Sequence, residues 1–519
     1  MLGNCFYRRL LLLLWRAKQT TTGLLVGIHS FSGKLLVIPM DGSHWVAIKA
    51  LAQAMGRRGH KVTVVIPEVN IRMGPGKHYD TVTFPVPYDK ASLNIIGTNK
   101  HLMEKSSESF IQDMRKRFAH MQRIADFLHT TAESLLFNAT LISHLAEQVS
   151  GFDAVLTDPM VPTGTLMARK LGLPSINLLR GIPCLMDMKA AGCPSPPSYV
   201  PRFFTGFTDK MNFMERTINT LVSTYCYVWM GRRFLGEEVG IAELLSDSAI
   251  WLQRYDFTME VPRPLMPNII LVGGINCNVR NPLPEDLESW VSGEHGFVVF
   301  TLGSMVSDMP VKRASVFLEA FRQIPQKVIW RYTGQIPDSV PDNVRIMEWV
   351  PQNDLLAHPG ARAFITHGGS HGLFEGLCHA VPMVMVPLTA DQPDNAQKMA
   401  SKGVGVVLDI MSITTEGLLQ GLNAIINDTR YKERVQKLSA VHKDRPIDPL
   451  QLSVYWTEFV MRHKGAQHLR AAVLELNWIQ YFCLDVIALL ATVLLVFVIL
   501  TVKCFKVCLR KLGRKRKQE

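Results

Sequence analysis

The sequence predicts an α/β protein with two doubly wound, parallel-sheet domains that face each other across a cleft, followed by one transmembrane helix. Three observations support this prediction. Short apolar runs alternate with segments of helical periodicity in residues 34–260 and again in residues 285–441. A Pro-rich stretch, 261–284, separates the two halves and is interpreted as a linker. A chain of 519 residues is also longer than a single hydrophobic core usually supports.

The first half contains apolar runs that predict buried strands, with helical segments between them. The predicted strands lie at 35–39, 61–66, 153–157 and 175–178, and the predicted helices at 45–59 and 164–171. Segments 99–148 and 207–251 are interpreted as helical insertions. Strands that are joined by helices form parallel sheets, so polar residues that follow these strands should meet at one edge.

The second half repeats this alternation. Its predicted strands lie at 297–302, 327–332, 344–347, 363–366, 382–386 and 405–409, and its predicted helices at 311–321, 370–379, 394–402, 415–426 and 430–441. Further helices and a juxtamembrane segment are expected in 442–483. Because ligands of doubly wound sheets bind beyond the carboxyl ends of the strands, a cleft between two such edges is the predicted binding site.

Residues 484–502 are predicted to cross a membrane. Between 486 and 502 the only polar side chains are two threonines, and a helix of roughly 17–25 apolar residues crosses a bilayer. The basic segment 503–519 follows directly, and the positive-inside rule places it in the cytosol and the body on the lumenal side. Lys515 and Lys517 resemble an endoplasmic-reticulum retrieval signal, so that membrane is the expected location.

The net charge of +12 is concentrated at the termini. The basic tail contributes +7 and the first 33 residues +4, which leaves a nearly neutral body without the charge pattern of a nucleic-acid-binding protein. Residues 1–33 are interpreted as a signal segment, although basic residues interrupt its apolar run. The sequons at Asn138 and Asn427 fit glycosylation of a lumenal body.

The nine cysteines are scattered singly, without a CxxC pair or a zinc-binding spacing. Buried free thiols are therefore favoured, and pairing of Cys184 with Cys193 is the alternative in an oxidising compartment. Cys504 and Cys508 follow the membrane segment at positions where cysteines are sometimes palmitoylated.

A strand, a glycine turn and a helix follow one another between Arg362 and Gly372. This arrangement directs backbone N–H groups and the positive end of the helix toward an anion. His367 stands at the end of the strand, where its ring can reach a phosphate oxygen, and Ser370 adds a hydroxyl. The motif is neither GxGxxG nor a Walker loop, and a Gly-Gly turn by itself is often only structural.

Five residues around this turn favour a nucleotide-sugar site. Trp349 offers a stacking face for a base, and Gln352 can read its amide-like edge. Glu375, in the following helix, suits both hydroxyls of a ribose. Asp391 and Gln392 follow the next strand and suit the hydroxyls of a sugar. A single Trp is more often part of a core, so the inference rests on the spacing of all five residues.

Residues 349–392 closely resemble the UDP-sugar-binding motif of the UDP-glycosyltransferase family. The strings at 41–45, 272–277, 302–307, 442–446 and 459–465 are similar to those of the vertebrate UDP-glucuronosyltransferases, and within these of the family 1 phenol and bilirubin branch. The resemblance covers about residues 34–502. It implies a GT-B fold with two Rossmann-like domains, in which 34–260 binds the acceptor and 285–441 binds the UDP-sugar.

The resemblance also implies roles for individual residues. Trp349 and Gln352 would hold the uracil, and Glu375 the ribose. Asp391 and Gln392 would bind the sugar. The residues expected around the diphosphate are Ser304, His367, Gly369, Ser370, His371 and Gly372.

The identity of the sugar is less well defined. Arg263 and Arg331 are candidate contacts for a phosphate or for the carboxylate of glucuronate, and the sequence does not choose between them. Thr389 and Ala390 replace a pair that often includes Phe in the relatives, which affects the expected sugar pocket but not the class of enzyme.

His44 and Asp158 are the predicted catalytic pair. Each follows a strand of the first half, so both are expected at the edge that faces the cleft. Imidazole can take a proton from a hydroxyl near neutral pH, and a carboxylate can orient the ring and stabilise its protonated form. The structural alternatives are a helix-capping or cleft-lining role for His44 and an N-cap before Pro159 for Asp158. In the resembled family the matching His and Asp form this dyad.

The predicted function is transfer of glucuronate from UDP-glucuronate, with inversion, to a hydroxyl or amine of small lipophilic acceptors. The apolar insertions 99–148 and 207–251 are expected to select the acceptor. No Asp-x-Asp occurs, so neither a metal nor another cofactor is expected. Expected partners are the acceptors, membrane lipid and related transferases in an oligomer, but no nucleic acid. The alternatives are a UDP-glucosyl- or UDP-galactosyltransferase of the same fold and a non-catalytic UDP-sugar-binding or regulatory membrane protein.

Overall fold

The computed structural model describes residues 31–97, 103, 110–147, 151–179, 185–202, 205–222, 240–277, 281–337 and 339–515. These residues belong to two compact units, one that ends at Leu469 and one that begins at Arg470. Most of the predicted signal segment, residues 1–30, lies outside the described residues, and so does Cys184 with its proposed pairing.

Seven parallel strands form the first sheet of the larger unit. They are β1 (Lys34–Ile38), β2 (Lys61–Pro67), β3 (Asp80–Phe84), β4 (Ala154–Thr157), β5 (Ser175–Leu179), β6 (Ile250–Gln253) and β7 (Ile269–Leu271). Their order in the sheet is β3-β2-β1-β4-β5-β6-β7. Leu35 and Leu36 enter two different hydrophobic clusters, one on each face. Both faces of the sheet are therefore covered, which explains the continuous apolar runs.

Helices pack around this sheet. They are α1 (Trp45–Arg57), α2 (Lys90–Gly97), α3 (Phe110–Leu136), α4 (Ala139–Glu147), α5 (Thr163–Leu171), α6 (Leu185–Ala190), α7 (Phe213–Val222) and α8 (Ile241–Ser246). The described parts of the two expected insertions are helical, as predicted, except that β6 begins at the end of the second one. Residues 223–239 of that insertion lie outside the described residues.

Six parallel strands form the second sheet. They are β8 (Phe297–Thr301), β9 (Lys327–Arg331), β10 (Val344–Met347), β11 (Ala361–Thr366), β12 (Met383–Met385) and β13 (Gly405–Val407). Their order is β10-β9-β8-β11-β12-β13. The helices of this half are α9 (Glu285–Val291), α10 (Val311–Phe321), α11 (Gln352–Ala357), α12 (Ser370–Cys378), α13 (Gln392–Ser401), α14 (Thr415–Asn427) and α15 (Thr429–Lys443).

The prediction of two parallel-sheet halves is confirmed, and every predicted strand is present with ends that agree within two residues. Three strands were not predicted, namely β3, β6 and β7. β3 lies at the edge of the sheet, and its partly exposed residues do not form an apolar run. β7 is only three residues long and lies inside 261–284, so this part of the expected linker belongs to the first sheet.

A helix from the end of the larger unit packs on the first sheet's helix layer. This helix, α16 (Pro449–His463), lies against α1. Its Glu458 accepts hydrogen bonds from Arg58 Nε at 2.6 Å and from His60 at 3.0 Å. Burial alone would raise the pKa of the Glu458 carboxyl, but these two neighbours hold it below its ordinary value. The chain therefore returns to its first half after completing the second.

One disulfide corrects the expectation of free thiols. Cys277, in the turns that follow β7, is bonded to Cys378, the last residue of α12. Cys193 is buried and unpaired, as the favoured interpretation required. The pairing was not predicted because 101 positions separate the two cysteines, and only the packing of α12 beside the loop after β7 brings them together.

The smaller unit contains a short helix, α17 (Trp478–Tyr481), and a long one, α18 (Leu484–Lys515). The side chains of Asn477 and Gln480 form a capping box at the start of α17. Within α18, Leu484–Arg510 is long and apolar enough to cross a membrane. The predicted membrane segment is thus one continuous helix, which extends into the basic tail.

We expect the Cys277–Cys378 bond to stabilise the native state by about 2–5 kcal/mol, because it closes a long loop in the unfolded chain. Cys277→Ala/Cys378→Ala should therefore unfold at a lower denaturant concentration, measured on the full chain in detergent micelles. Cys193→Ala, which removes a buried free thiol, is the matched control. An unchanged unfolding midpoint in the double variant would contradict this expectation.

Candidate active site

Loops that follow strands of the first sheet contact loops that follow strands of the second. Gly42, after β1, lies so close to the Met305 side chain that a Cβ there would meet its Sδ at 2.9 Å. Arg254, after β6, reaches His371 at the start of α12, with 2.9 Å between Nη2 and Nδ1. The predicted cleft thus lies at the carboxyl edges of both sheets, where ligands of such folds bind.

His44 and Asp158 are in contact at this edge. The distance between His44 Nδ1 and Asp158 Oδ2 is 2.6 Å, and both residues are buried. Their strands are neighbours, because β1 pairs with β4 and Ile38 lies opposite Thr157. A carboxylate can only accept, so Nδ1–H donates, and in the neutral ring Nε2 carries the lone pair that can take up a proton. This is the geometry of a histidine base that is oriented by a carboxylate.

The two capping alternatives for this pair are not found in the structure. The side chain of His44 makes no capping hydrogen bond to α1, although the residue stands directly before that helix. Asp158 is not the N-cap of α5, because Pro162 occupies that position. Its second oxygen, Oδ1, instead accepts from the backbone N–H of Met160 at 2.9 Å. The carboxylate is therefore fixed at both oxygens.

A cavity opens beside Asp158. Its lining is mainly apolar and aromatic and includes Phe84, Tyr88 and Phe127, with Asp41 as a second carboxylate. The Tyr88 hydroxyl lies 2.9 Å from the Thr131 hydroxyl on α3. Part of the lining therefore comes from the first insertion, one of the two segments expected to select the acceptor.

The glycine turn after β11 holds the imidazole of His367 between two loops. A Cβ at Gly303, which has a φ of 80°, would meet His367 Cε1 at 2.4 Å. A Cβ at Gly369 would meet Nε2 at 2.6 Å. Only glycine permits this approach from both sides. The ring is thereby placed between the loop that contains Ser304 and the start of α12.

Two hydroxyls at this place have unused hydrogen-bonding capacity. Ser304 Oγ and Ser370 Oγ are buried and have no hydrogen-bond partner among the described residues. Buried polar atoms are normally hydrogen-bonded, so such a pair is typical of a site that binds a polar ligand. Both residues, with Gly372 in the first turn of α12, were predicted around the diphosphate.

A chain of hydrogen bonds connects the predicted ribose and uracil residues. Glu375 accepts from His371 Nε2 at 3.0 Å and from Gln352 Nε2 at 2.5 Å. Gln352 Oε1 in turn accepts from the Thr301 hydroxyl. The amide of Gln352, predicted to contact the uracil, is thus oriented toward Glu375 and Thr301.

Arg254 defines the tautomer of His371. A guanidinium can only donate, so His371 Nδ1 accepts and its Nε2–H donates to Glu375. Burial alone would raise the pKa of the Glu375 carboxyl, but neighbouring His371 and the hydrogen bonds from His371 and Gln352 hold it below its ordinary value. Arg254 was not predicted, and its position directly after the unpredicted strand β6 was the signal that would have indicated it.

Trp349 is 56% exposed. Two guanidinium groups lie over its ring, that of Arg72 at 4.4 Å from the centroid and that of Arg331 at 5.3 Å. Arg331 also donates to the carbonyls of Gly303 and Val306, and burial together with Arg72 lowers its pKa to about 10. These hydrogen bonds connect Arg331 to the loop after β8.

Asp391 and Gln392 lie at the start of α13. Asn395 Nδ2 donates to Asp391 Oδ2 at 2.9 Å and to the Gly368 carbonyl at 3.2 Å, so this buried amide joins the expected sugar loop to the glycine turn. Gln392 Oε1 accepts from the backbone N–H of Leu388 at 2.8 Å. Ala390 has a φ of 57°, an uncommon backbone conformation for a residue other than glycine.

The structure does not bring Arg263 to these residues. Its side chain is buried and donates to Glu260 Oε1 at 3.0 Å, while Lys398 Nζ donates to Oε2 at 2.7 Å. Burial alone would raise the pKa of Glu260, but the two cations hold it below its ordinary value. The guanidinium that contacts a predicted donor residue from this part of the chain is that of Arg254, nine positions earlier.

Comparison with solved structures shows the class of fold. Spinosyn forosaminyltransferase SpnP superposes with a TM-score of 0.57 at 18% identity, over 83% of this chain and 100% of that one. The calicheamicin glycosyltransferase CalG4 gives a TM-score of 0.51 at 16% identity, over 83% and 99% of the two chains. The fold is therefore that of the GT-B glycosyltransferases. The family model described as "UDP-glucoronosyl and UDP-glucosyl transferase" matches residues 33–519, and the chain belongs to that family.

Curated relatives confirm the resemblance of the motifs to those of the UDP-glucuronosyltransferases. Human UDP-glucuronosyltransferase 1A6 is 45% identical over 504 residues, covering 93% of this chain and 94% of that protein. Human UDP-glucuronosyltransferase 1A1 is 44% identical over 508 residues, covering 94% and 95%. The mouse protein of the same name is 43% identical over 512 residues, covering 96% and 95%.

The charge of Glu375 should contribute to stability. Its folded pKa is lowered, so this contribution is present above the ordinary glutamate value of 4.5 and is lost as pH falls below it. Glu375→Gln should reduce the free energy of unfolding by about 2 kcal/mol at pH 7, and the difference from wild type should shrink toward pH 4. Denaturant titrations of the full chain in micelles at both pH values would measure this, with exposed Glu294→Gln as control. A pH-independent difference would show that the charge is not responsible.

Proposed function

We propose that this protein transfers glucuronate from UDP-glucuronate to a hydroxyl or amine of small lipophilic acceptors. The observation that supports this most strongly is the contact between His44 and Asp158, 2.6 Å apart at the edge that faces the residues of the donor motif. Relatives that are 43–45% identical to this chain are named UDP-glucuronosyltransferases. These names support glucuronate as the sugar.

The proposed donor site lies at the carboxyl edge of the second sheet. Trp349 stacks against the uracil, and Glu375 accepts hydrogen bonds from the ribose. The diphosphate is bound by the two buried serine hydroxyls, His367 and the first N–H groups of α12, where the helix dipole favours an anion. Asp391 and Gln392 bind the sugar hydroxyls. In this assignment Gln352 has one of two roles. It breaks its hydrogen bond to Glu375 and contacts the uracil, or it keeps that hydrogen bond and orients Glu375.

The proposed reaction is a single displacement. His44 Nε2 takes the proton of the acceptor hydroxyl while the oxygen of that hydroxyl attacks the anomeric carbon of the sugar. The bond from that carbon to the diphosphate oxygen breaks, and UDP leaves with the electron pair, so the configuration inverts. Asp158 stabilises the imidazolium that forms, and the helix end with His367 stabilises the charge on the departing diphosphate.

The acceptor is proposed to occupy the cavity beside Asp158. Its aromatic and apolar lining suits a lipophilic ring, and Asp158, the partner of the proposed base, is among its lining residues. A flat phenol is therefore the first acceptor to test, because its hydroxyl can approach His44 while its ring contacts Phe84 and Phe127.

The remaining assignments concern organisation and location. We propose an acceptor half of 34–260, a connecting segment of 261–284 that includes β7, and a donor half of 285–441. α18 serves as a single-pass anchor, with the body in the lumen of the endoplasmic reticulum and the tail in the cytosol. Asn138 and Asn427 are the proposed glycosylation sites. The reaction as written uses no metal, and association with related transferases stays a prediction.

The donor is tested by competition. Membranes that contain the full chain should transfer label from UDP-glucuronate to a phenol at least tenfold faster than from UDP-glucose or UDP-galactose at equal concentration. Preference for either neutral sugar would overturn the glucuronate assignment but not the assignment as a glycosyltransferase. Binding of UDP without any transfer to a broad phenol panel would favour a non-catalytic binding protein.

The base is tested by substitution. His44→Ala should lower kcat by at least a thousandfold while leaving the affinity for UDP within about twofold, because the imidazole acts on the acceptor and not on the nucleotide. Asp158→Asn should retain binding and lose most of the activity, because an amide can donate to Nδ1 and reverse the tautomer. Exposed His295→Ala serves as the matched control. Collapse of UDP binding in His44→Ala, or near-normal turnover, is the contrary result.

A further inference from the structure

We propose that Arg72 is a positioning residue for the donor: from the acceptor half, it holds the indole of Trp349 and the loop at Ser304 in place for the nucleotide. This inference rests on the proposed function. None of the sequence motifs includes Arg72, which lies in the loop after β2.

The backbone of Arg72 is fixed to the turn that leads to His44. Asp41 Oδ1 accepts from the N–H of Arg72 at 3.1 Å and from that of Gly42 at 2.6 Å. Asp41 Oδ2 accepts from the N–H of Ile71 at 2.6 Å. One carboxylate therefore ties the loop after β2 to the turn after β1, three residues before the proposed base.

The guanidinium of Arg72 crosses to the donor half and makes two contacts there. Its Nη2 donates to the Ser304 carbonyl at 2.7 Å. Its Cζ lies 4.4 Å from the centroid of the Trp349 ring, within the range of a cation–π interaction. The two residues that it contacts are those proposed to meet the diphosphate and the uracil.

These contacts leave the indole accessible. Trp349 is 56% exposed with both guanidinium groups in place, so part of the residue remains accessible to a ligand. Arg331 supports the same ring but is held by carbonyls of its own half. Of the two cations, Arg72 is the one whose position depends on the acceptor half, and it therefore couples the two halves at the nucleotide.

Without the guanidinium, the indole loses a cation that restricts its orientation, and the Ser304 carbonyl loses a charged donor. Both changes act on donor binding before any chemistry. From the usual strengths of cation–π contacts and of hydrogen bonds from charged groups, removing the Arg72 guanidinium should lower the affinity for UDP about tenfold to hundredfold. The acceptor cavity does not include Arg72 among its lining residues, so acceptor affinity should hardly change.

The experiment compares Arg72→Leu, Arg72→Lys and the control Arg57→Leu, an exposed arginine at the end of α1, in the full chain in membranes. The dissociation constant for UDP is measured by equilibrium dialysis, and KM for donor and acceptor by steady-state kinetics. Arg72→Leu should raise the UDP dissociation constant and the donor KM about tenfold or more, with acceptor KM and kcat changed less than about threefold. Arg72→Lys should recover part of the loss because it retains the charge.

A double-mutant cycle with Trp349→Ala tests whether Arg72 acts through the indole. In the Trp349→Ala background, Arg72→Leu should weaken UDP binding by only a small further factor. An unchanged or tighter UDP affinity in Arg72→Leu, or an equal effect with and without Trp349, would overturn the proposal. UDP binding is measured without turnover, so absence of transferase activity in the wild-type chain would reject the proposed function separately.

Discussion

The buried ion pair between Lys398 and Glu260 joins the two halves beside the site. Nζ donates to Oε2 at 2.7 Å, and both side chains are almost completely buried. Arg263 binds the other oxygen of the same carboxylate. Removing one partner of such a pair generally costs about 3–5 kcal/mol, because it leaves an uncompensated buried charge. The pair thus fixes α13, which carries the proposed sugar residues at its start, against the segment that follows β6.

The same segment carries Arg254, and this has a direct consequence for the donor residues. Arg254 defines which nitrogen of His371 is protonated, and His371 in turn donates to Glu375. Residues of α12, in the second half, are therefore oriented by a guanidinium from the first half. This short chain of hydrogen bonds links Glu375, the proposed ribose residue, to the first half.

The proposed base and its partner, unlike Arg254 and His371, both belong to the first half. β1 and β4 are neighbours in the first sheet, so His44 and Asp158 meet although 114 positions separate them in sequence. The turn between β1 and α1 also contacts Met305 of the other half through Gly42. The base is therefore positioned by its own sheet and lies next to the donor loops, which is the arrangement that a direct displacement between two bound substrates requires.

The sequence by itself determined the two alternating halves, the ends of ten of the thirteen strands within two residues, the apolar segment of α18, and the residue types at the donor motif. These features are local, because periodicity and spacing reflect burial within one element. Sequence patterns also indicated that His44 and Asp158 share a sheet edge, since every strand of a parallel sheet ends on the same side.

Tertiary structure decided what depends on neighbours distant in the chain. It placed β7 in the first sheet, paired Cys277 with Cys378, enclosed Arg263 with Glu260, and brought Arg254 and Arg72 to the donor motif. An arginine has the same appearance in sequence whether it compensates a buried carboxylate or contacts a ligand. Only the fold determines which charges lie beside it, and therefore which role remains.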